Sequence, residues 1–149
     1  MVGYSQQALS TYVKLIRCAE SVTARLHPHL AQAGVTPSQF GVLEALYHLG
    51  PMSMGAISAK VLKTNGNLTM VVNNLEKRGL ARRQVNPEDR RSMTVSLTDS
   101  GRALIRTVFP KHVLEAARTF SILNPQELEL LGALLKKLGT APGGEPGKR

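Results

Sequence analysis

The sequence predicts a mainly α-helical protein carrying one small β-hairpin. Two observations carry most of that expectation. Apolar residues recur at helical spacing through most of the chain, as at Leu68, Val71, Val72 and Leu75. Strict alternation is clear in one stretch, where Met93, Val95 and Leu97 interleave with Ser92, Thr94 and Ser96. A third observation sets the boundaries: two helix starts, at Thr36 and Asn124, carry a cap, a proline and an amide or carboxylate three residues on.

Residues 5–32 read as one long helix. Leu9, Tyr12, Val13, Ile16, Ala19 and Leu26 form one apolar stripe, and Leu15, Cys18 and Val22 a second. A helix apolar on two sides is sandwiched, and in a chain of 149 residues a second copy is the expected neighbour. Pro28 should kink this helix. In Val35-Thr36-Pro37-Ser38-Gln39-Phe40, Thr36 caps the next helix, Gln39 completes the capping box, and Val35 and Phe40 form the staple. That helix runs to Gly50. Ser53 then caps a short helix holding Ile57, Val61 and Leu62.

The third helix of this group begins after Lys63-Thr64-Asn65-Gly66 and ends at Gly79, which can adopt the left-handed conformation of a helix stop. The last two of these helices form a helix-turn-helix, and the hairpin from about Ala81 to Leu97 adds a wing whose turn is Asn86-Pro87-Glu88-Asp89-Arg90-Arg91. Thr98 or Asp99 caps the helix that follows, which Pro110 should bend. In the last helix, Leu128, Leu130, Leu131, Leu134, Leu135 and Leu138 are too many for one monomer core, so an intermolecular surface is expected. The expected division is 1–34 dimerisation helix, 35–98 winged helix-turn-helix, 99–138 dimerisation helices and 139–149 disordered tail.

The net charge is +9, and residues 53–98 hold eight Lys or Arg against three acidic residues. A basic balance concentrated beside a helix-turn-helix favours a polyanionic partner, double-stranded DNA. Asn65, Gly66, Asn67, Met70 and Asn73 stand where a recognition helix meets base edges; asparagine can pair with adenine and methionine can pack on a thymine methyl, which predicts an A·T-leaning half-site. Lys77, Arg78, Arg82 and Arg83 suit phosphates better than bases. At the wing tip Asp89 and Arg91 are close enough to pair and aim a guanidinium at a narrow minor groove; the ordinary alternative is an exposed turn salt bridge of at most about 1 kcal/mol.

Several classes find no support. The one cysteine excludes an internal disulfide and suits a reducing compartment. No apolar run approaches a membrane span, no signal peptide is visible, and a cytoplasmic protein is expected. His27 and His29 face different ways across Pro28, His48 and His112 are expected to stand alone, and no metal site or cofactor is expected. Neither a phosphate-binding glycine loop nor a nucleophile elbow occurs, so an enzyme is not expected.

The run from Leu75 to Gly101, with Asp89-Arg90-Arg91 before Leu97-Thr98, resembles the MarR family of winged-helix transcriptional regulators. Leu43-Glu44-Ala45-Leu46 and Gly50-Pro51 fit the same pattern, and the likeness covers about residues 5–138. It departs at Met70 and Asn74, where many members carry arginine. The resemblance implies an obligate homodimer on a palindromic operator, with Arg91 in the minor groove positioned by Asp89. The candidate DNA-contacting set is Ser53, Thr64, Asn65, Gly66, Asn67, Thr69, Met70, Asn73, Asn74, Lys77, Arg82, Asp89, Arg90 and Arg91. The glycine- and asparagine-containing segment at 62–69 is similar to one branch with repressors answering quinone-like or phenolic compounds. Such an effector, or another small aromatic molecule, would sit between the dimer base and the winged helix, near Tyr12, Arg17, Phe40 and His48. Peroxide-sensing members use a cysteine nearer the first helix's start, so Cys18, beside Leu15 and Val22, is expected to be a packed thiol and not a redox switch.

The expected function is therefore a homodimeric sequence-specific DNA-binding regulator, a repressor released by a small ligand. The alternative is a winged-helix architectural or protein-interaction module with little sequence specificity.

Overall fold

The computed structural model describes residues 2–61 and 68–141. The expected links at 62–67, with Thr64, Asn65, Gly66 and Asn67, and the tail at 142–149 lie outside the described residues.

The first helix is interrupted at Pro28. Helix α1 (Val2–Leu26) ends before His27, and α2 (Pro28–Gln32) restarts with Pro28 at its first position. Proline has no N–H to offer the carbonyl of Ala24, which removes one bond from a continuous helix. The sequence therefore located the break, but as a kink in one helix instead of two helices.

Helix α3 (Pro37–Leu49) starts as expected: Thr36 Oγ1 accepts from Gln39 N at 3.1 Å, and Gln39 Oε1 accepts from Thr36 N at 3.1 Å. Ser53 caps α4 (Met54–Lys60) through Ala56 N. This helix is shorter than expected, because Val61 turns extended after Lys60. Its cap also belongs to a strand: β1 (Met52–Ser53) pairs with β3 (Met93–Leu97), which pairs in turn with β2 (Ala81–Val85). The expected hairpin is thus part of a three-stranded antiparallel sheet of order β1-β3-β2. Two residues are too few to show a strand's period, so β1 had no signature.

Helix α5 (Leu68–Lys77) stops at Gly79, whose φ is 70°, with Leu80 N bonded to Leu75 O at 2.9 Å and Gly79 N to Glu76 O at 2.9 Å. That is a Schellman stop. Helix α6 (Asp99–Phe120) is capped by Thr98 and passes through Pro110 without a break. Its first turn is pressed against the end of β2's entry: a Cβ at Gly101 would lie 1.9 Å from the Leu80 carbonyl oxygen, so only glycine fits. Helix α7 (Pro125–Gly139) opens with the expected capping box of Asn124 and Glu127 and runs one residue into the segment expected to be tail.

One core joins these elements. Leu30, Leu43, Leu46, Ile57, Val72, Leu75, Val95, Ile105 and Val108 are buried together, which fixes α5 and the sheet on α3, α4 and α6. No residue of α1 or α7 is buried.

Candidate nucleic-acid interface

Burying Val72 and Leu75 on one side of α5 turns the opposite side outward. Thr69, Met70, Asn74 and Lys77 are exposed there, and Asn73 is half-buried among them. The structure therefore gathers five of the expected DNA-contacting residues on one helix face. Ser53 lies exposed at the start of α4 with its oxygen already capping Ala56 N. Arg82 is exposed on β2.

Two of the basic residues assigned to phosphate have other work. Arg78 Nη1 donates to Gly34 O at 2.7 Å and to Gln39 Oε1 at 3.1 Å, tying the end of α5 to the entry of α3. Arg83 donates through Nε to Glu76 Oε1 and through Nη2 to Asn73 Oδ1. Both corrections have one cause: each guanidinium reaches acceptors that sequence distance hid, 44 residues away for Gly34 and 10 for Asn73. Among the described residues, Lys77, Arg82, Arg90 and Arg91 have no carboxylate within ion-pair distance.

The wing tip is built differently from the expected ion pair. Asp89 Oδ1 accepts from the backbone N of Arg91 at 3.0 Å, and Ser92 N donates to Asp89 O at 3.0 Å. Asn86 Oδ1 accepts likewise from Glu88 N at 2.9 Å. A carboxylate two residues before an amide closes such a turn on its own backbone. Asp89 thus holds the turn from which Arg90 and Arg91 project, both exposed, instead of gripping the Arg91 guanidinium.

The expected effector residues are not brought into one cleft. Phe40 is a core residue with its ring 4.5 Å from that of His112, and His48 is exposed, its Nδ1 3.0 Å from Glu44 O and its ring 4.6 Å from Phe109. Tyr12 lines a separate cavity of about 440 Å³ with Tyr4, Gln7, Ala8, Thr11, Leu15 and Leu138. Arg17 is exposed on α1. Cys18 is exposed too, where a packed thiol was expected, although its stripe neighbours Leu15 and Val22 are half-buried.

The histidines are not isolated either. His112 Nδ1 lies 3.1 Å from His29 Nε2, brought there by the packing of α2 on α6. Burial, then the neighbouring His29 and His27, lowers the pKa of His112; burial, then His29, lowers that of His27. Among the described residues no three His, Cys, Asp or Glu side chains are placed to hold a metal ion.

An outward polar helix beside a basic-tipped wing defines a winged helix-turn-helix DNA-binding protein. Comparison with known proteins narrows the class. The family model described as MarR family matches residues 33–92. The regulator MhqR of Bacillus subtilis (strain 168) is 33% identical over 135 residues, covering 91% of this chain and 93% of its own. The solved structure of Sco3205 from Streptomyces coelicolor, in complex with DNA, superposes with a TM-score of 0.81 at 26% identity over 95% of this chain and 90% of that one. BpsR of Bordetella bronchiseptica, whose DNA binding is regulated by 6-hydroxynicotinic acid, superposes with a TM-score of 0.79 at 30% identity over 85% and 91%. The chain belongs to the MarR family of transcriptional regulators, which are DNA-binding proteins and not enzymes. No helix among the described residues is long and apolar enough to cross a membrane.

Proposed function

We propose that this chain acts as a homodimeric repressor that reads a palindromic operator and is released by a small aromatic, phenolic or quinone-like ligand. One observation carries it: the exposed face of α5 from Thr69 to Lys77 lies beside a wing that ends in Arg90 and Arg91. The helix suits the major groove and the wing the adjoining minor groove, with Asp89 orienting Arg91 by closing its turn. Met70 with the asparagines favours an A·T-leaning half-site; site selection that returns G·C-rich half-sites refutes that preference.

The dimer is supported by apolar surface. Leu9, Tyr12, Leu130 and Leu138 are each at least 60% exposed in the single chain, more than a soluble surface keeps bare. Pairing 1–34 and 99–138 with the same segments of a second copy covers them. The two recognition helices then have to stand about 34 Å apart, one turn of DNA. A ligand that favours another spacing lowers affinity by shifting populations. The regulated DNA binding of BpsR supports a ligand of this class, and the Tyr12 cavity at α1 and α7 is one place for it.

Mobility shift of the promoter region beside the gene, with and without excess nonspecific DNA, tests specificity. Retention under competitor is expected; loss favours an architectural protein. Transcription from that promoter with and without the protein gives the sign, and sedimentation gives the dimer.

A further inference from the structure

On the α5 face one amide is not free to turn. Asn73 follows Met70 by three residues and precedes Lys77 by four, so it shares their side of the helix. Its oxygen accepts from Arg83 Nη2, while Arg83 Nε donates to Glu76 Oε1. A guanidinium carries only donors, so the amide atom turned toward it has to be the oxygen; nitrogen there would set donor against donor. The side chains of Arg83 and Glu76 are 30% and 31% exposed, so this pair is less screened by water than a surface salt bridge. With its oxygen engaged, Asn73 has Nδ2 as its free end.

We propose that Arg83, anchored by Glu76, is a positioning residue that turns the oxygen of Asn73 to itself and leaves the amino group of Asn73 to read the major groove. The proposal rests on the reading that the outward face of α5 enters that groove. An unconstrained asparagine pairs doubly with adenine, accepting from N6 and donating to N7. Held by Arg83, whose bond takes one of the two lone pairs of its oxygen, it presents its amino donors first, so this one position departs from the adenine preference proposed for the rest of the half-site. Those donors match guanine at O6 and N7 and thymine at O4, keep a single bond to adenine N7, and disfavour cytosine, whose edge shows a donor. Arg83 itself is withdrawn from phosphate.

The test is selection of binding sites from a random duplex library by the full chain, combined with salt titration of the selected site. The wild type is compared with Asn73→Ala, Arg83→Met, Glu76→Ala and Glu76→Gln. Asn73→Ala and Arg83→Met should relax the same position of each half-site, by about tenfold in relative affinity. Arg83→Met should leave the logarithmic salt slope as it was. Glu76→Gln, which keeps an oxygen for the guanidinium, should retain the preference that Glu76→Ala weakens. If Arg83→Met misfolds by circular dichroism, Arg83→Lys carries the same comparison, because an ammonium cannot span both acceptors in the fork geometry. A uniform loss across all sequences, with a slope smaller by about 0.9, makes Arg83 a phosphate contact and overturns the proposal. If Asn73→Ala relaxes no position, Asn73 reads no base and the proposal falls, while reading by Met70 and Asn74 on the same face stands or falls by their own variants. If Asn73→Ala relaxes one and neither Arg83 variant does, the positioning role alone falls.

Discussion

The winged-helix middle of the chain and its two ends use apolar residues in opposite ways. In the middle, Leu43, Leu46, Ile57, Val72, Leu75 and Val95 are fully buried around one core. At the ends, α1 and α7 hold no buried residue, although Leu9, Leu130, Leu134 and Leu138 are as apolar as anything in the core. The middle packs into one core, which Leu30 of α2 and Ile105 and Val108 of α6 complete. Helix α1 packs on α2 and α6 through part of its length, yet apolar residues of both α1 and α7 point outward. The difference separates what a single chain buries from what the proposed dimer would cover.

Substitutions in the two regions should therefore behave differently. The largest effect belongs to the core: Leu75→Ala should lower unfolding free energy by about 2–5 kcal/mol, whatever the protein concentration. Leu134→Glu in α7 should instead make sedimentation report a single chain and abolish the operator shift, while the near-native secondary structure persists. If Leu134→Glu leaves the mass unchanged, the ends are not the dimer surface. Gly101→Ala comes next, at about 1–3 kcal/mol in denaturant titration, since the added carbon must displace the Leu80 backbone or the start of α6. Arg91→Ala should leave the midpoint of unfolding near the wild-type value and weaken operator binding, which places the wing outside the stability of the core.

The smallest effect is that of pH. The pKa values of His27 and His112 are lowered in the fold, so the unfolded chain binds more protons there. Their contribution to stability is present above the ordinary value of 6.5 and is lost as pH falls through the lowered folded values. A thermal midpoint that drops modestly below pH 6.5, less so in His112→Phe, is the expected result; a midpoint that rises on acidification contradicts it.

Legibility followed the range of the interaction. Thr36 with Gln39, Asn124 with Glu127, Ser53 and Gly79 could be read directly, because caps and stops are settled within a few residues. The outward face of α5 was legible as well, since helical period alone sets Met70, Asn73, Asn74 and Lys77 against Val72 and Leu75. β1 could not be read, being two residues long and made a strand only by Val95 and Thr94. Nor could the meeting of His29 with His112, 83 residues apart.

By itself the sequence determined the helices, their caps, the wing and the concentration of positive charge, all of which depend on neighbours along the chain. Only the tertiary structure decided which cations remain available. Arg78 and Arg83 look like Arg82 and Arg91 in the sequence, yet the first two are bonded to Gly34, Gln39, Asn73 and Glu76. A guanidinium binds the acceptors that packing places within its reach, and those are set by the fold and not by adjacency.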